Sequence, residues 1–124
     1  MILGLGIDVA SIDRMRAVLD RHGDRMWGRI LTPIEQTTLE HRHDRATALA
    51  GRWAAKEAAV KAFGGQAGAL WHDFEVRRTA AGAPEVHFRG RAALTAARLG
   101  VVRAFVSITH DAGVAAAVVV LEGP

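Results

Sequence analysis

The segment that decides the fold is Arg45–Phe63, RATALAGRWAAKEAAVKAF, the longest and most alanine-rich patterned stretch of the chain. Alanine has the highest helix propensity of the residues, and the Gly64-Gly65 pair that follows is typical of a helix end. The segment therefore predicts a helix of about five turns. Because Trp53 and many alanines make this helix apolar, we do not expect its charged residues to lie on a fully solvated face.

The N-terminal segment Ile2–Val9 alternates like a strand, with apolar residues at odd positions and Gly4, Gly6 and Asp8 at even positions. Two glycines on one strand face permit the close approach of another backbone or of a ligand. Asp8 ends that face. It is either a functional carboxylate or an ordinary turn or N-cap residue.

The other elements are predicted from caps, turns and alternation. A helix runs from a Ser11 cap to about Leu19, and a capping box at Thr32-Pro33-Ile34-Glu35 begins a second helix that fades near His41–Asp44. The remaining segments are strands Phe74–Arg78 and Glu85–Phe88, a helix Arg91–Leu99, and a hairpin of Val102–Thr109 with Val114–Leu121 over residues 110–113. The order βαααββαββ predicts an α+β fold with a small antiparallel sheet, in a single domain over residues 1–124.

Composition narrows the class of protein. Cysteine is absent, which excludes disulfides, thiolate metal sites and a cysteine nucleophile. No apolar run approaches the ~20 residues of a membrane helix, and the N-terminus lacks a basic region like that of a signal peptide, so we expect a cytoplasmic protein and no membrane partner. Many apolar residues are alanine, so a monomer would bury little area per side chain, which favours an oligomer.

The two lysines of the chain, Lys56 and Lys61, lie in the long helix, whereas the other fourteen of its sixteen lysines and arginines are arginine. This is either a coding bias or a need for a compact ammonium group at these positions. Glu57 and Lys61 are four residues apart and share a face with Trp53. They predict either a surface ion pair or part of a functional site. Asp8 offers that site a second carboxylate, and two carboxylates with few other ligands suit Mg²⁺ that shares its coordination with a diphosphate.

A second polar cluster, Ser107-Ile108-Thr109-His110-Asp111, ends a predicted strand. One interpretation is a solvated strand edge, and the other is a set of phosphate or ribose contacts. A hydrolase triad is disfavoured because no nucleophile elbow is present, and the chain has no Walker-type loop.

Three segments in order resemble one family. They are Gly6-Ile7-Asp8-Val9, then Gly51–Gly64 (GRWAAKEAAVKAFG), then Val106–Asp111 (VSITHD) with the alanine-rich strand beyond it. Together they resemble the short bacterial holo-acyl-carrier-protein synthases, the small class of 4′-phosphopantetheinyl transferases. The resemblance spans essentially the whole chain, and its central pattern W/F-x-x-K-E-x-x-x-K is specific.

The resemblance implies an enzyme that moves the 4′-phosphopantetheine arm of coenzyme A to a serine of an acyl carrier protein and releases adenosine 3′,5′-bisphosphate. It implies that Asp8 and Glu57 bind Mg²⁺ against the coenzyme A pyrophosphate and that Lys61 neutralises the phosphate under attack. Either Glu57 or a metal-bound water would take the serine proton. It also implies a homotrimer with sites between subunits.

Further residues are implied in binding. The expected coenzyme A contacts are Arg52, Gly64, Pro84, Ser107, Thr109 and His110. A basic surface of the first helix, Arg14, Arg21 and Arg25, would meet the acidic carrier protein, and ordinary solvated charge is the alternative. One departure concerns the turn Gly82-Ala83-Pro84, where the family often has Gly-Lys-Pro, so a cation that could contact the nucleotide is missing. The arginine- and alanine-rich composition is typical of a GC-rich genome, whose polyketide carrier proteins are further possible acceptors.

Two other functions compete with transfer. A metal-dependent hydrolase of nucleotide diphosphates would use the same carboxylates with water as acceptor. A basic nucleic-acid-binding module would use the arginines, but the net charge of only +3 and the lack of a recognition motif or aromatic platform disfavour it.

Overall fold

A computed structural model describes residues 1–68 and 70–124. Along the chain its elements are β1 (Ile2–Ser11), α1 (Ile12–His22), α2 (Asp24–Ile30), α3 (Pro33–Leu39), α4 (Arg45–Ala62), a 3-10 turn (Trp71–Asp73), β2 (Phe74–Arg78), β3 (Pro84–Phe88), α5 (Gly90–Leu99), β4 (Arg103–Asp111) and β5 (Val114–Glu122). This is the predicted α+β class. The strands form two antiparallel sheets rather than one, a three-stranded sheet in the order β1-β5-β4 and a two-stranded sheet of β2 and β3.

The helix α4 is the centre of the molecule. Twelve of its residues are buried, among them Leu49 and the alanines that pack against both sheets. Gly4 and Gly6 of β1 lie directly on this helix, because a Cβ on Gly4 would overlap the carbonyl oxygen of Ala62 and one on Gly6 that of Ala58. The predicted close approach of a backbone to the glycine face of β1 is therefore confirmed, and the approaching backbone is that of α4.

The element order differs from the predicted one by one helix. The segment Asp24–Ile30, which the sequence pattern left unassigned, forms α2 and buries Trp27 and Ile30. Gly23, with φ of 55°, separates it from α1. A helix of seven residues has too few turns for its apolar spacing to stand out in the sequence.

The boundaries of the C-terminal hairpin were also predicted incorrectly. His110 and Asp111 belong to β4, and the turn consists of Ala112 and Gly113 alone, with φ values of 50° and 80°. Positive φ at both central residues is the geometry of a two-residue turn that matches strand twist, and it extends the pairing to Asp111 and Val114. Among the described residues, no helix is long and apolar enough to cross a membrane.

Candidate active site

The crossing of β1 and α4 brings Asp8 and Lys61 together. Lys61 Nζ donates to Asp8 Oδ1 and to the carbonyl oxygen of Ile7, each at 3.0 Å. Gly6 contacts Ala58, and Asp8 is the next residue on the same strand face, so it lies beside the turn of α4 that carries Glu57. The Asp8 side chain is 16% exposed and that of Lys61 is 55% exposed. Both groups are therefore fixed by their contact yet accessible to a ligand.

Glu57 is half-buried and has a different partner. Its Oε1 accepts a hydrogen bond from the indole Nε1 of Trp71 at 3.2 Å. The predicted alternative, an ion pair of Glu57 with Lys61, is wrong for the described residues, in which the salt bridge of Lys61 joins Asp8. Lys61 and Glu57, four residues apart on α4, therefore have different partners, Asp8 and Trp71.

This donor set fits Mg²⁺ better than a transition metal. Asp8 and Glu57 have carboxylate oxygens, which are hard ligands. Within residues 1–68 and 70–124, no cluster of three or more His, Cys, Asp or Glu side chains could hold a metal ion. Mg²⁺ commonly takes one or two carboxylates and completes its coordination with water and substrate phosphates. The two carboxylates are thus the residues that would hold such an ion, and Lys61 is available to a phosphate oxygen beside them.

The other lysine of the motif, Lys56, is completely buried. Its Nζ donates to Glu35 Oε1 at 2.6 Å and to the carbonyl oxygens of Trp71 and Phe74 at 3.0 and 2.8 Å. Burial lowers the pKa of Lys56, and the Glu35 carboxylate opposes that effect. Lys56 therefore lies inside the protein, where its hydrogen bonds join α4 to α3, to the first residue of the 3-10 turn and to the first residue of β2.

Glu35 has a second role that the sequence did not predict. The predicted capping box is confirmed, with Thr32 N to Glu35 Oε1 at 2.9 Å and Glu35 N to Thr32 Oγ1 at 3.3 Å. The same carboxylate also accepts hydrogen bonds from the Lys56 ammonium and, at 3.1 Å, from the backbone N–H of Val76. Glu35, which the sequence predicts as part of a capping box, is thus also a fully buried carboxylate at the centre of a hydrogen-bond network.

Arg52 faces a cavity of about 220 Å³ on the other side of α4. The residues lining this arginine cavity that bear on binding are Arg42, Arg52, Arg78, Pro84, Thr109 and His110. Within the described part of the chain, Nε and Nη2 of Arg52 are buried without a hydrogen-bond partner, and Glu35 Oε2 lies 3.9 Å from Nε. Burial, together with the charge of Arg78, lowers the pKa of Arg52 to about 10, so the group remains a cation at neutral pH.

The predicted coenzyme A contacts do not all meet within one chain. Arg52, Pro84, Thr109 and His110 line the arginine cavity, whereas Gly64 lies with Lys61 in a separate cavity of about 400 Å³. Ser107 pairs with Val118 of β5 and is exposed on the open face of the three-stranded sheet.

The three arginines expected to form a basic surface lie on two helices. Arg14 and Arg21 are on α1, and Arg25 is on α2 rather than on the first helix as predicted, because Gly23 ends α1. All three are exposed, and no salt bridge of theirs occurs among residues 1–68 and 70–124. Arg14 also borders an apolar cavity of about 350 Å³ that Trp53 and Trp71 line.

Several residues around the candidate site carry no recognisable motif in the sequence. Trp71 lies in a segment assigned to no element, and Arg42 and Arg78 gave no signal beyond positive charge. Arg78 lies on β2 opposite Pro84 and donates from Nη1 to the Gly82 carbonyl oxygen at 2.8 Å, so it stands across the turn in which Ala83 supplies no cation. The register of the predicted strands Phe74–Arg78 and Glu85–Phe88 was the one available signal for this placement.

Comparison with known proteins shows the family. The model of the 4′-phosphopantetheinyl transferase superfamily matches residues 4–119. A holo-acyl-carrier-protein synthase of Solidesulfovibrio magneticus is 50% identical over 125 residues, covering 99% of this chain and 100% of the relative. One of Anaeromyxobacter sp. (strain K) is 48% identical over 126 residues, covering 99% and 98%.

A solved structure agrees with the sequence relatives. The holo-acyl-carrier-protein synthase of Helicobacter pylori, in complex with coenzyme A, superposes with a TM-score of 0.81 at 30% identity and covers 95% of this chain and 99% of its own. This chain therefore belongs to the 4′-phosphopantetheinyl transferase superfamily and is an enzyme of its holo-acyl-carrier-protein synthase family.

Proposed function

We propose that this enzyme transfers the 4′-phosphopantetheine group of coenzyme A to a serine of an apo acyl carrier protein with the assistance of Mg²⁺, and that Asp8, Glu57 and Lys61 are its reaction centre. The observation that carries the proposal is the contact of Lys61 Nζ with Asp8 at 3.0 Å, one helical turn along α4 from Glu57. We propose further that residues 1–124 act as one transferase domain, which the family match over residues 4–119 supports.

The reaction exchanges one phosphorus–oxygen bond for another. The serine oxygen forms a bond to the pantetheine-bearing phosphorus, the bond from that phosphorus to the bridging oxygen breaks, and adenosine 3′,5′-bisphosphate leaves with the bridging oxygen. A base takes the serine proton. Asp8 and Glu57 are the residues that would hold Mg²⁺, whose positive charge would neutralise the diphosphate. The Lys61 ammonium would hold an oxygen of the phosphate under attack, where fixed positive charge stabilises developing negative charge.

The arginine cavity supports binding of an anionic donor. Arg52 keeps buried N–H groups without partners in the described chain, and Arg42 and Arg78 line the same space. A nucleotide phosphate would satisfy these donors and relieve the repulsion among three cations. Arg78 would then supply the positive charge that Ala83 does not. The relative of Helicobacter pylori is described in complex with coenzyme A, which makes coenzyme A the expected donor.

The exposed arginines support an acidic acceptor. Arg14, Arg21 and Arg25 lie on consecutive helices, and Arg14 borders the cavity that Trp71 also lines. A negatively charged carrier protein bound at Arg14 would therefore lie close to the partner of Glu57. Acyl carrier proteins of fatty-acid synthesis are the expected acceptors, and those of polyketide synthesis are further candidates.

The open face of the three-stranded sheet supports a homotrimer. Leu5, Ile7 and Val9 of β1 are 60–64% exposed, and their neighbours on β5 are also apolar. On β4 the face continues through Phe105 and ends in the polar Ser107 and Thr109. An exposed sheet face with an apolar centre of this kind is typical of a subunit interface. In a trimer, the arginine cavity of one protomer and the Lys61 cavity of its neighbour would form one coenzyme A site, which accounts for their separation within a single chain.

Mass spectrometry of an apo carrier protein incubated with this enzyme, coenzyme A and Mg²⁺ tests the function. We expect a gain of one phosphopantetheine on serine, lost with chelator and lost in Asp8→Ala and Glu57→Ala while both variants keep a native circular dichroism spectrum. Asp13→Ala, which removes an exposed carboxylate of α1, is the matched control and should retain activity. Full activity of either site variant, or activity in excess chelator, would refute the metal assignment.

The same experiment without carrier protein separates transfer from hydrolysis. A hydrolase of nucleotide diphosphates would consume coenzyme A with water as the acceptor, whereas a transferase should leave it intact. Sedimentation equilibrium of the wild type and of Ile7→Arg tests the trimer. A wild-type monomer, or a variant of unchanged mass, would refute the proposed interface.

A further inference from the structure

We propose that Trp71 is the positioning residue for the Glu57 carboxylate, and that Lys56 serves the site by fixing the backbone of the turn that carries Trp71. The inference rests on the proposed function for the metal role of Glu57, but the hydrogen bond itself does not. It assigns a role to Trp71 and a reason for the buried lysine of the motif.

The contacts of Trp71 hold its ring in one place. Its ring centroid lies 4.9 Å from that of Trp53 at an interplanar angle of 44°, and the guanidinium of Arg29 lies 5.9 Å from it. The indole N–H donates to Glu57 Oε1 at 3.2 Å. An indole has a single N–H and no acceptor, so the ring orientation decides where the carboxylate oxygen must be.

The backbone of Trp71 is fixed just as firmly. Lys56 Nζ donates to the carbonyl oxygens of Trp71 and Phe74, and Leu70 N donates to Asp73 Oδ2 at 3.2 Å across the 3-10 turn. Lys56 is one residue before Glu57 on α4. The helix therefore holds the turn through Lys56, and the turn in return holds the side chain of Glu57 through Trp71.

This arrangement leaves the rest of the Glu57 carboxylate available. One acceptor direction of Oε1 is occupied by the indole, while Oε2 has no hydrogen-bond partner in the described residues and is available to a cation. Hydrogen bonds to ligating carboxylates orient them, and loss of such a partner typically costs on the order of 10-fold or more in metal affinity. A half-buried glutamate on a helix otherwise samples several rotamers, and Trp71 removes that freedom.

Nitrogen NMR of the three indole groups tests the hydrogen bond without any substrate. Trp71→Phe identifies its resonance by loss of one of the three peaks. In Glu57→Ala, we expect that resonance to move upfield and its proton to exchange faster with water, while the indole of Trp27, packed by Arg45 elsewhere, stays unchanged. A Trp71 resonance unaffected by Glu57→Ala would refute the proposal.

Metal binding tests the consequence. Mn²⁺ is titrated into the coenzyme A complex of each protein and followed by electron paramagnetic resonance. Trp71→Phe keeps the ring but loses the donor, and we expect its Mn²⁺ affinity to fall by roughly 10-fold. Trp27→Phe is the matched control, because it makes the same change at an indole that packs with Arg45 and has no hydrogen-bond partner among the described residues, and its affinity should stay within twofold of the wild type.

The outcomes separate the two proposals. Tight Mn²⁺ binding by the wild type with an equal affinity in Trp71→Phe refutes the positioning role and leaves the proposed function intact. A wild type that binds coenzyme A but no Mn²⁺ refutes the metal role of Glu57, and with it both the Mg²⁺ assignment and this inference. If Trp71→Phe does not fold, Trp27→Phe and Trp53→Phe assign the other two peaks, and the response of the remaining Trp71 resonance to Glu57→Ala decides whether the hydrogen bond exists.

Discussion

Replacement of Arg52 by methionine should make the protein more stable and a poorer binder of coenzyme A. Arg52 is 2% exposed, and its Nε and Nη2 have no partner in the described chain. Burial first, and the charge of Arg78 second, lower the pKa of Arg52 from its ordinary value to about 10. Since a tenfold change in a proton equilibrium is worth ~1.4 kcal/mol, the buried cation costs on the order of 3 kcal/mol in the ligand-free protein.

Methionine has a similar length and adapts to irregular spaces, so it removes the charge with little loss of packing. Glu35 keeps its bond to Lys56 at 2.6 Å, whereas Arg52 is 3.9 Å away, so the variant leaves no buried anion without a partner. Replacement of a whole buried ion pair by apolar groups is neutral to stabilising by about 1–4 kcal/mol, and Arg52→Met resembles that case because Glu35 retains Lys56 as its partner. We expect a gain of about 1–3 kcal/mol, or roughly 3–6 °C in Tm per kcal/mol.

Urea unfolding at equal protein concentration measures the stability, and calorimetric titration measures coenzyme A binding. Loss of charge-assisted hydrogen bonds to a phosphate should weaken coenzyme A binding by roughly 10-fold or more. Arg52→Lys keeps a buried cation and should show no gain in stability. If Arg52→Met is less stable than the wild type, then the buried guanidinium does not cost stability. If it binds coenzyme A equally well, then Arg52 is not a binding group. Either result would show that the reasoning is wrong.

Three further predictions test the framework of the site. Gly6→Ala should lower stability by several kcal/mol because its Cβ would overlap the Ala58 carbonyl oxygen, and thermal unfolding that matches the wild type would contradict this packing. Lys56→Met should destabilise by about 3–5 kcal/mol since it leaves the Glu35 carboxylate buried without its cation, and simultaneous Glu35→Gln should recover part of that loss in urea unfolding. Burial acts to raise the pKa of Glu75, but hydrogen bonds from Thr32 and Arg77 and the charges of Arg77 and Arg89 outweigh it and lower this pKa below 4.5. The associated stability is therefore present above pH 4.5 and is lost as the pH falls through the folded-state pKa; an acid-unfolding curve of Glu75→Gln as steep as that of the wild type would argue against this.

Much of the architecture follows from local pattern. The capping box at Thr32, the alanine-rich run ended by Gly64-Gly65 and the alternation of β2 each fix one element through interactions between residues close in sequence. The glycines of β1 also indicated a close approach, because the absence of a side chain matters only where another backbone lies near. The short helix α2 escaped prediction because seven residues carry too little periodic signal.

The candidate site also has features that the sequence predicts and features that depend on packing. The sequence by itself indicated Asp8, Glu57 and Lys61 as the groups that we propose carry the chemistry, because two carboxylates near an ammonium group suit Mg²⁺ that shares its coordination with a diphosphate. Only the tertiary structure decided their partners: Lys61 pairs with Asp8 rather than with Glu57, Lys56 lies inside the protein, and Trp71 reaches Glu57 from fourteen residues away. The physical reason is that spacing along a helix specifies a face, whereas a hydrogen bond across elements depends on how β1, the 3-10 turn and α4 pack, which no local pattern encodes.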